Sequence, residues 1–158
     1  MFYAALKTLH LLSIIVWIGG MVFAHFFLRP AVAPLEPAVR LKLMHDVLGR
    51  FFRAVLVVSL LTLASGLWML GRMARQAAQS GVSFDVPLAW LVMALLGTFM
   101  VAVFLHIRFA LFRRFSQRVA TSEWGPAGAA LAQIRRWVMV NLVLGVVIVV
   151  VTLLPWRA

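Results

Sequence analysis

The chain has no cysteine, a single tyrosine and only four acidic residues in 158 (Glu36, Asp46, Asp85 and Glu123). Without cysteine there is no disulfide framework, no thiolate metal site and no thiol nucleophile, so any metal needs His, Met, Asn or carboxylate ligands. No acid pair lies inside an apolar segment, and there is no glycine-rich phosphate loop, zinc-ligand spacing or nucleophile with a base at helical spacing. Charge itself is scarce. Charged residues make up 12% of the chain against 65% hydrophobic, whereas a soluble domain is roughly a quarter charged. The solvent of this protein is therefore lipid.

What is present is length of apolar sequence. Four stretches reach the roughly 20 residues that a ~30 Å hydrocarbon core requires, and backbone polar groups in lipid force each to be helical. The expectation is an all-α integral membrane protein, a four-helix up-and-down bundle in one domain with spans at residues 4–28, 48–72, 86–110 and 136–155. The first stretch is longer than a signal-peptide core, contains His10 and Trp17 and shows no A-x-A pattern before Arg29 and Pro30, so it is expected to remain as the first span. Pro30, Pro34 and Pro37 are expected to break the helix after it, with Glu36 as the N-cap of the next. Gly71 to Asp85 reads as a loop.

The fifteen basic residues are distributed by loop rather than along a soluble face, which excludes a nucleic-acid reading. Arg29, Arg40, Lys42, Arg50, Arg53, Arg108, Arg113, Arg114, Arg118, Arg135 and Arg136 flank the first and third loops, while Lys7, Arg72, Arg75 and Arg157 lie on the other side. The positive-inside rule then puts the two basic loops in the cytoplasm, against anionic lipids, and both termini outside an inner membrane of bacterial type. The two halves also resemble each other weakly: each reaches a His near its inner end, then basic residues, a Pro and a second helix.

Polar groups inside spans are costly and mark function first. His10, Ser13, Trp17 and Gly20 follow helical spacing, and His25 lies about 60° round the helix and about 22 Å along it from His10. Ser59, Thr62, Ser65 and Met69 form one stripe, and Asn141, Gly145 and Thr152 another; such small residues chiefly let helices approach closely. His25, His106 and Asn141 fall at similar depth near the inner boundary, with His45 close by at the surface. If the first and third helices are diagonal, His25 and His106 can ligate a haem iron from two sides, with Arg29, Arg53 and Arg108 beside its propionates. His10 lies nearer the outer boundary at the depth of Trp68, Met69 and Met93, where a soft His and Met set can hold Cu(I) or His10 can serve a second haem.

Several stretches in order carry a family resemblance: His10-Leu-Leu-Ser-Ile-Ile-Val-Trp17-Ile-Gly19-Gly20-Met, Leu28-Arg29-Pro30, Arg50-Phe-Phe, Phe104-Leu-His106, and Ile134-Arg135-Arg136 before Asn141-Leu. Together they resemble the small four-span relatives of the copper-resistance D (CopD) membrane family, whose larger members are associated with copper movement across the inner membrane. The His-x6-Trp-x-Gly-Gly opening is also similar to the first span of HemJ-type protoporphyrinogen oxidases, which bind haem b. The third span has no Lys where those oxidases carry a functional one, which counts against that activity. The resemblance implies His10 as a ligand with Trp17 packed beside it. Three readings stand. The leading one is a b-type haem protein passing electrons to a quinone or redox partner through His10, His25 and His106. The others are a copper-binding or copper-transporting protein using His10 with Met69 or Met93, and a cofactor-free subunit of a larger complex.

Overall fold

In a computed structural model, residues 1–81 and 88–153 are described, and among them the chain is helical without strands. Ser83, Asp85, the start of the third span at residue 86, the end of the fourth at 154–155 and Arg157 lie outside the described residues. The elements are α1 (Phe2–Val22), a π-helical turn (Phe23–Leu28), α2 (Arg29–Val32), α3 (Pro37–Ser80), α4 (Leu88–His106), a second π turn (Ile107–Leu111), α5 (Phe112–Ala120) and α6 (Trp124–Leu153). Four continuous helical stretches, Phe2–Val32, Pro37–Ser80, Leu88–Ala120 and Trp124–Leu153, are each long and apolar enough to cross a membrane. The protein is an all-α multi-pass membrane bundle.

The helices overrun the expected spans. Pro30 does not end the first helix, which continues to Val32. The wider π turn just before it absorbs the amide that proline lacks and the room its ring needs against the preceding turn. Glu36 is the N-cap of α3, with extended backbone and Pro37 at the first helical position. The stretch from Gly71 is not a loop: α3 runs 44 residues, about 66 Å, and stops only at Gly81, whose φ of +68° ends the helix in the left-handed conformation. The halves keep their weak symmetry, since a π turn contains His25 in the first and directly follows His106 in the second.

α1 packs along α3 and α4 along α6, while α6 also touches α1 and α5 leans on both α3 and α6. Lipid tails are as apolar as the core, so shape decides these contacts. Phe51 of α3 sits against Gly20 of α1, where a Cβ would lie 2.2 Å from the ring, and Ile18 and Met100 close on Gly145 in the same manner. Down the middle runs a chain of edge-on and tilted aromatic rings: Trp17 on Phe104 at 5.8 Å, Phe104 on Phe52 at 6.2 Å, Phe52 on Phe112 at 5.3 Å, and Phe112 on Phe115 at 6.2 Å. At the end bearing the N-terminus, Arg72 caps the rings of Tyr3 and Trp68. The opposite end carries the arginines of the two basic connections and is called the basic end below.

Candidate functional site

All five buried polar residues among those described are in the spans: His10, Ser13, Ser59, Ser65 and Asn141. Burying a polar group in lipid without a partner costs several kcal/mol on the order of ~2–7, so each needs an account. Ser59 donates to the Leu56 carbonyl of its own helix, which satisfies it locally.

His10 is satisfied across the bundle. Its Nδ1 lies 2.9 Å from Ser65 Oγ, a contact between α1 and α3 with both residues buried. The Ser65 hydroxyl has one proton and donates it to the Leu61 carbonyl, so its oxygen accepts from Nδ1–H. The Thr62 carbonyl, 3.2 Å from the same Oγ, adds an acceptor on that side of the ring. With Nδ1–H donating to Ser65, a neutral imidazole carries its lone pair on Nε2. Gly66 makes room for the ring, for a Cβ there would stand 3.4 Å from His10 Cε1. Trp17, almost two turns further along α1, is also buried. The expected thioethers Met69 and Met93 are half-buried on α3 and α4.

Deeper in the bundle, Asn141 Oδ1 is buried with no hydrogen-bond partner. Asn141 lines a mid-bundle cavity of about 10 Å³ shared with Trp17, Met21, Phe52 and Phe104. That volume is at the lower edge of what one water needs, and the other walls supply few polar partners for it. Met21 and Met100, at 2% and 5% exposure, are the buried thioethers of this region. Composition alone did not distinguish them from gap-filling methionines.

The expected inner histidines differ in exposure. His25 is half-buried and packs on Phe26. His106 is exposed on the outside of α4 and meets Trp137 edge-on at 5.4 Å. Neither lines the mid-bundle cavity at Asn141. Arg29 and Arg53 are exposed, whereas Arg108 is half-buried with its Nε unpartnered. His45 lines a groove at the basic end with Arg50, Arg53 and Arg108. Among the described residues no three His, Cys, Asp or Glu side chains gather as a metal cluster, so a metal in the spans would use His10 with thioether, amide or aromatic neighbours.

Comparison with known proteins adds one match. The family described as copper resistance protein D matches residues 45–154, which covers α3 from His45 onward through α6 and leaves the first span outside the matched segment. No curated protein and no solved structure matches the chain.

Proposed function

Since the chain belongs to the copper resistance protein D family, we propose that it handles copper within the membrane, with the ion as its cargo and His10 as the first ligand. The observation that carries this reading is the bond from His10 Nδ1 to Ser65 Oγ, which orients the imidazole and leaves Nε2 free to coordinate. Neutral soft donors suit Cu(I), because a monovalent ion in lipid is costly unless its ligands replace its hydration shell. Met21, Met100 and the unpartnered Asn141 oxygen are the donors next available toward the centre. With the basic connections in the cytoplasm, His10 receives copper from the outer side, as the positive-inside rule orients it. The cavity at Asn141 is too small for a hydrated ion, so passage requires α1 to move against α3 and α6.

The test is Cu(I) binding to detergent-purified protein in competition with a chromophoric chelator, alongside an absorption spectrum of the same sample. Stoichiometric copper that weakens at least tenfold in His10→Ala, and is unchanged in His106→Ala, is the expected result. A Soret band lost in His25→Ala or His106→Ala but retained in His10→Ala would establish the haem arrangement instead and overturn the copper reading.

A further inference from the structure

At the basic end a groove of about 490 Å³ opens between α3 and the second π turn with α5. Its α3 wall presents Asp46, Arg50 and Arg53 at helical spacing, with Gly49 beside them, and its other wall presents Arg108 and Phe112. The arginines are not neutralised. The ion pairs among the described residues are His45 with Asp46 and Arg118 with Glu123, and neither involves a groove arginine. Asp46 Oδ1 accepts from His45 Nδ1 at 3.2 Å, and His45 Nε2 is joined to Ser116 Oγ at 3.0 Å, so three arginines share the groove with one carboxylate that is paired to the imidazole through a single oxygen.

Arg108 faces the Arg50–Arg53 pair from the other wall without an ion pair of its own among the described residues. Its Nε is buried without a partner, and such a donor costs about 1–3 kcal/mol or more for a charged group. The guanidinium lies 5.5 Å from the ring centres of both Phe109 and Phe112, which fixes where its donors sit. His45, which also lines the groove from α3, stacks parallel to Phe112 at 5.3 Å and holds that ring in place. Three guanidinium groups on two walls present several N–H donors to one small space, which matches the many oxygens of a phosphate.

We infer that this groove binds a phosphate group, as a monoester or diester, between Arg108 and the Arg50–Arg53 pair. Arg53 directly precedes the uncharged run that begins at Ala54, and Arg108 directly follows the one that ends at Ile107, so both stand near the inner ends of their spans. The groove is therefore level with lipid headgroups, and a phospholipid and a soluble phosphate compound share the chemistry it offers.

The full-length protein, delipidated in neutral detergent, is examined by native mass spectrometry with dioleoylphosphatidylglycerol, dioleoylphosphatidylcholine or inorganic phosphate as the probe. Arg108→Gln and the double variant Arg50→Gln/Arg53→Gln are compared with Arg113→Gln/Arg114→Gln, two exposed arginines of α5 that do not line the groove. Retention of phosphatidylglycerol, at least tenfold weaker in both groove variants and unchanged in the α5 variant, supports the site with a lipid as the source. Retention of inorganic phosphate with the same variant pattern, and no preference for the anionic lipid, supports it with a soluble source. Equal losses in the α5 and groove variants, or no retention of any probe, overturn the inference. The exposed positions of Arg50 and Arg53 keep the double variant informative if Arg108→Gln fails to fold.

Discussion

Replacing Ser65 by Ala removes the acceptor that holds His10 while leaving the backbone and the volume of α3 nearly unchanged. The bond is interhelical, spans 55 residues of chain and joins residues 8% and 3% exposed. Hydrogen bonds between spans contribute about 0.6 kcal/mol on average and up to about 1.7, and an orphaned buried donor costs about 1–3. Ser65→Ala should therefore destabilise the bundle by about 1–2 kcal/mol in the His10 background and by only a few tenths, about 0.3, in the His10→Ala background. The coupling of about 1 kcal/mol is read from reversible unfolding in mixed micelles across the four proteins of a double-mutant cycle. The bond from Ser65 to the Leu61 carbonyl is lost in both backgrounds and cancels. The same substitution should weaken Cu(I) by about 10–100-fold, the usual effect of deleting the group that orients a ligating imidazole. Coupling below about 0.3 kcal/mol with unchanged copper affinity would refute both the tautomer and the role given to Ser65.

Adjacent glycines should answer oppositely. Gly20→Ala drives a methyl into the Phe51 ring at 2.2 Å and should lose about 1–3 kcal/mol, whereas Gly19, with nothing within 4 Å, should gain up to about 1 kcal/mol as Ala; equal responses in thermal unfolding would show that the α1–α3 contact is wrong. Asn141→Leu removes an unpartnered buried oxygen, so it should hold or raise the melting temperature while slowing copper movement into vesicles. A lower melting temperature would mean that this oxygen has a partner in the membrane. In the turn before α6, the Thr121 hydroxyl and the Arg118 guanidinium hold the Glu123 carboxyl below its ordinary range. Its folded value being the lower one, the support it gives the turn is complete above the unfolded carboxylate value and is lost as pH falls through the lowered one. Carbonyl chemical shifts should show the Glu123 titration moving upward in Arg118→Gln, and an unmoved titration would remove that guanidinium from the account.

The fold was legible because lipid imposes it: once a stretch is apolar for about 20 residues, only a helix satisfies its backbone. Where water resumes, that constraint lapses, which is why residues 71–80 were misread. Their Arg, Gln and Ser looked like a loop, yet nothing in them breaks a helix before Gly81. The site was legible only in part, because sequence position gives depth in the membrane and not direction around the helix. His106 was placed by its depth alone, and each residue turns the helix by about 100°. The interior face is set by Val103, Phe104 and Ile107, which leaves His106 on the outside. Amphipathic periodicity normally supplies that angle, and it is silent in α4 because lipid-facing and core-facing residues are both apolar.

His10 escaped this limit because its face carries Ser13 and Trp17 at helical spacing, a polar and aromatic stripe that stands out against apolar surroundings. Its partner did not. Ser65 shares a stripe with Ser59 and Thr62 whose members all donate to carbonyls of their own helix, the behaviour of residues that only ease packing. What separates Ser65 from the other two is the imidazole that the fold brings across from α1, 55 residues away. The arginine groove has the same origin, since Arg50 and Arg53 look like topology signals until the packing of the α4–α5 stretch beside α3 sets Arg108 opposite them. In both places the chemistry belongs to a pair of helices, and a reading made one span at a time reaches the residues but not their partnership.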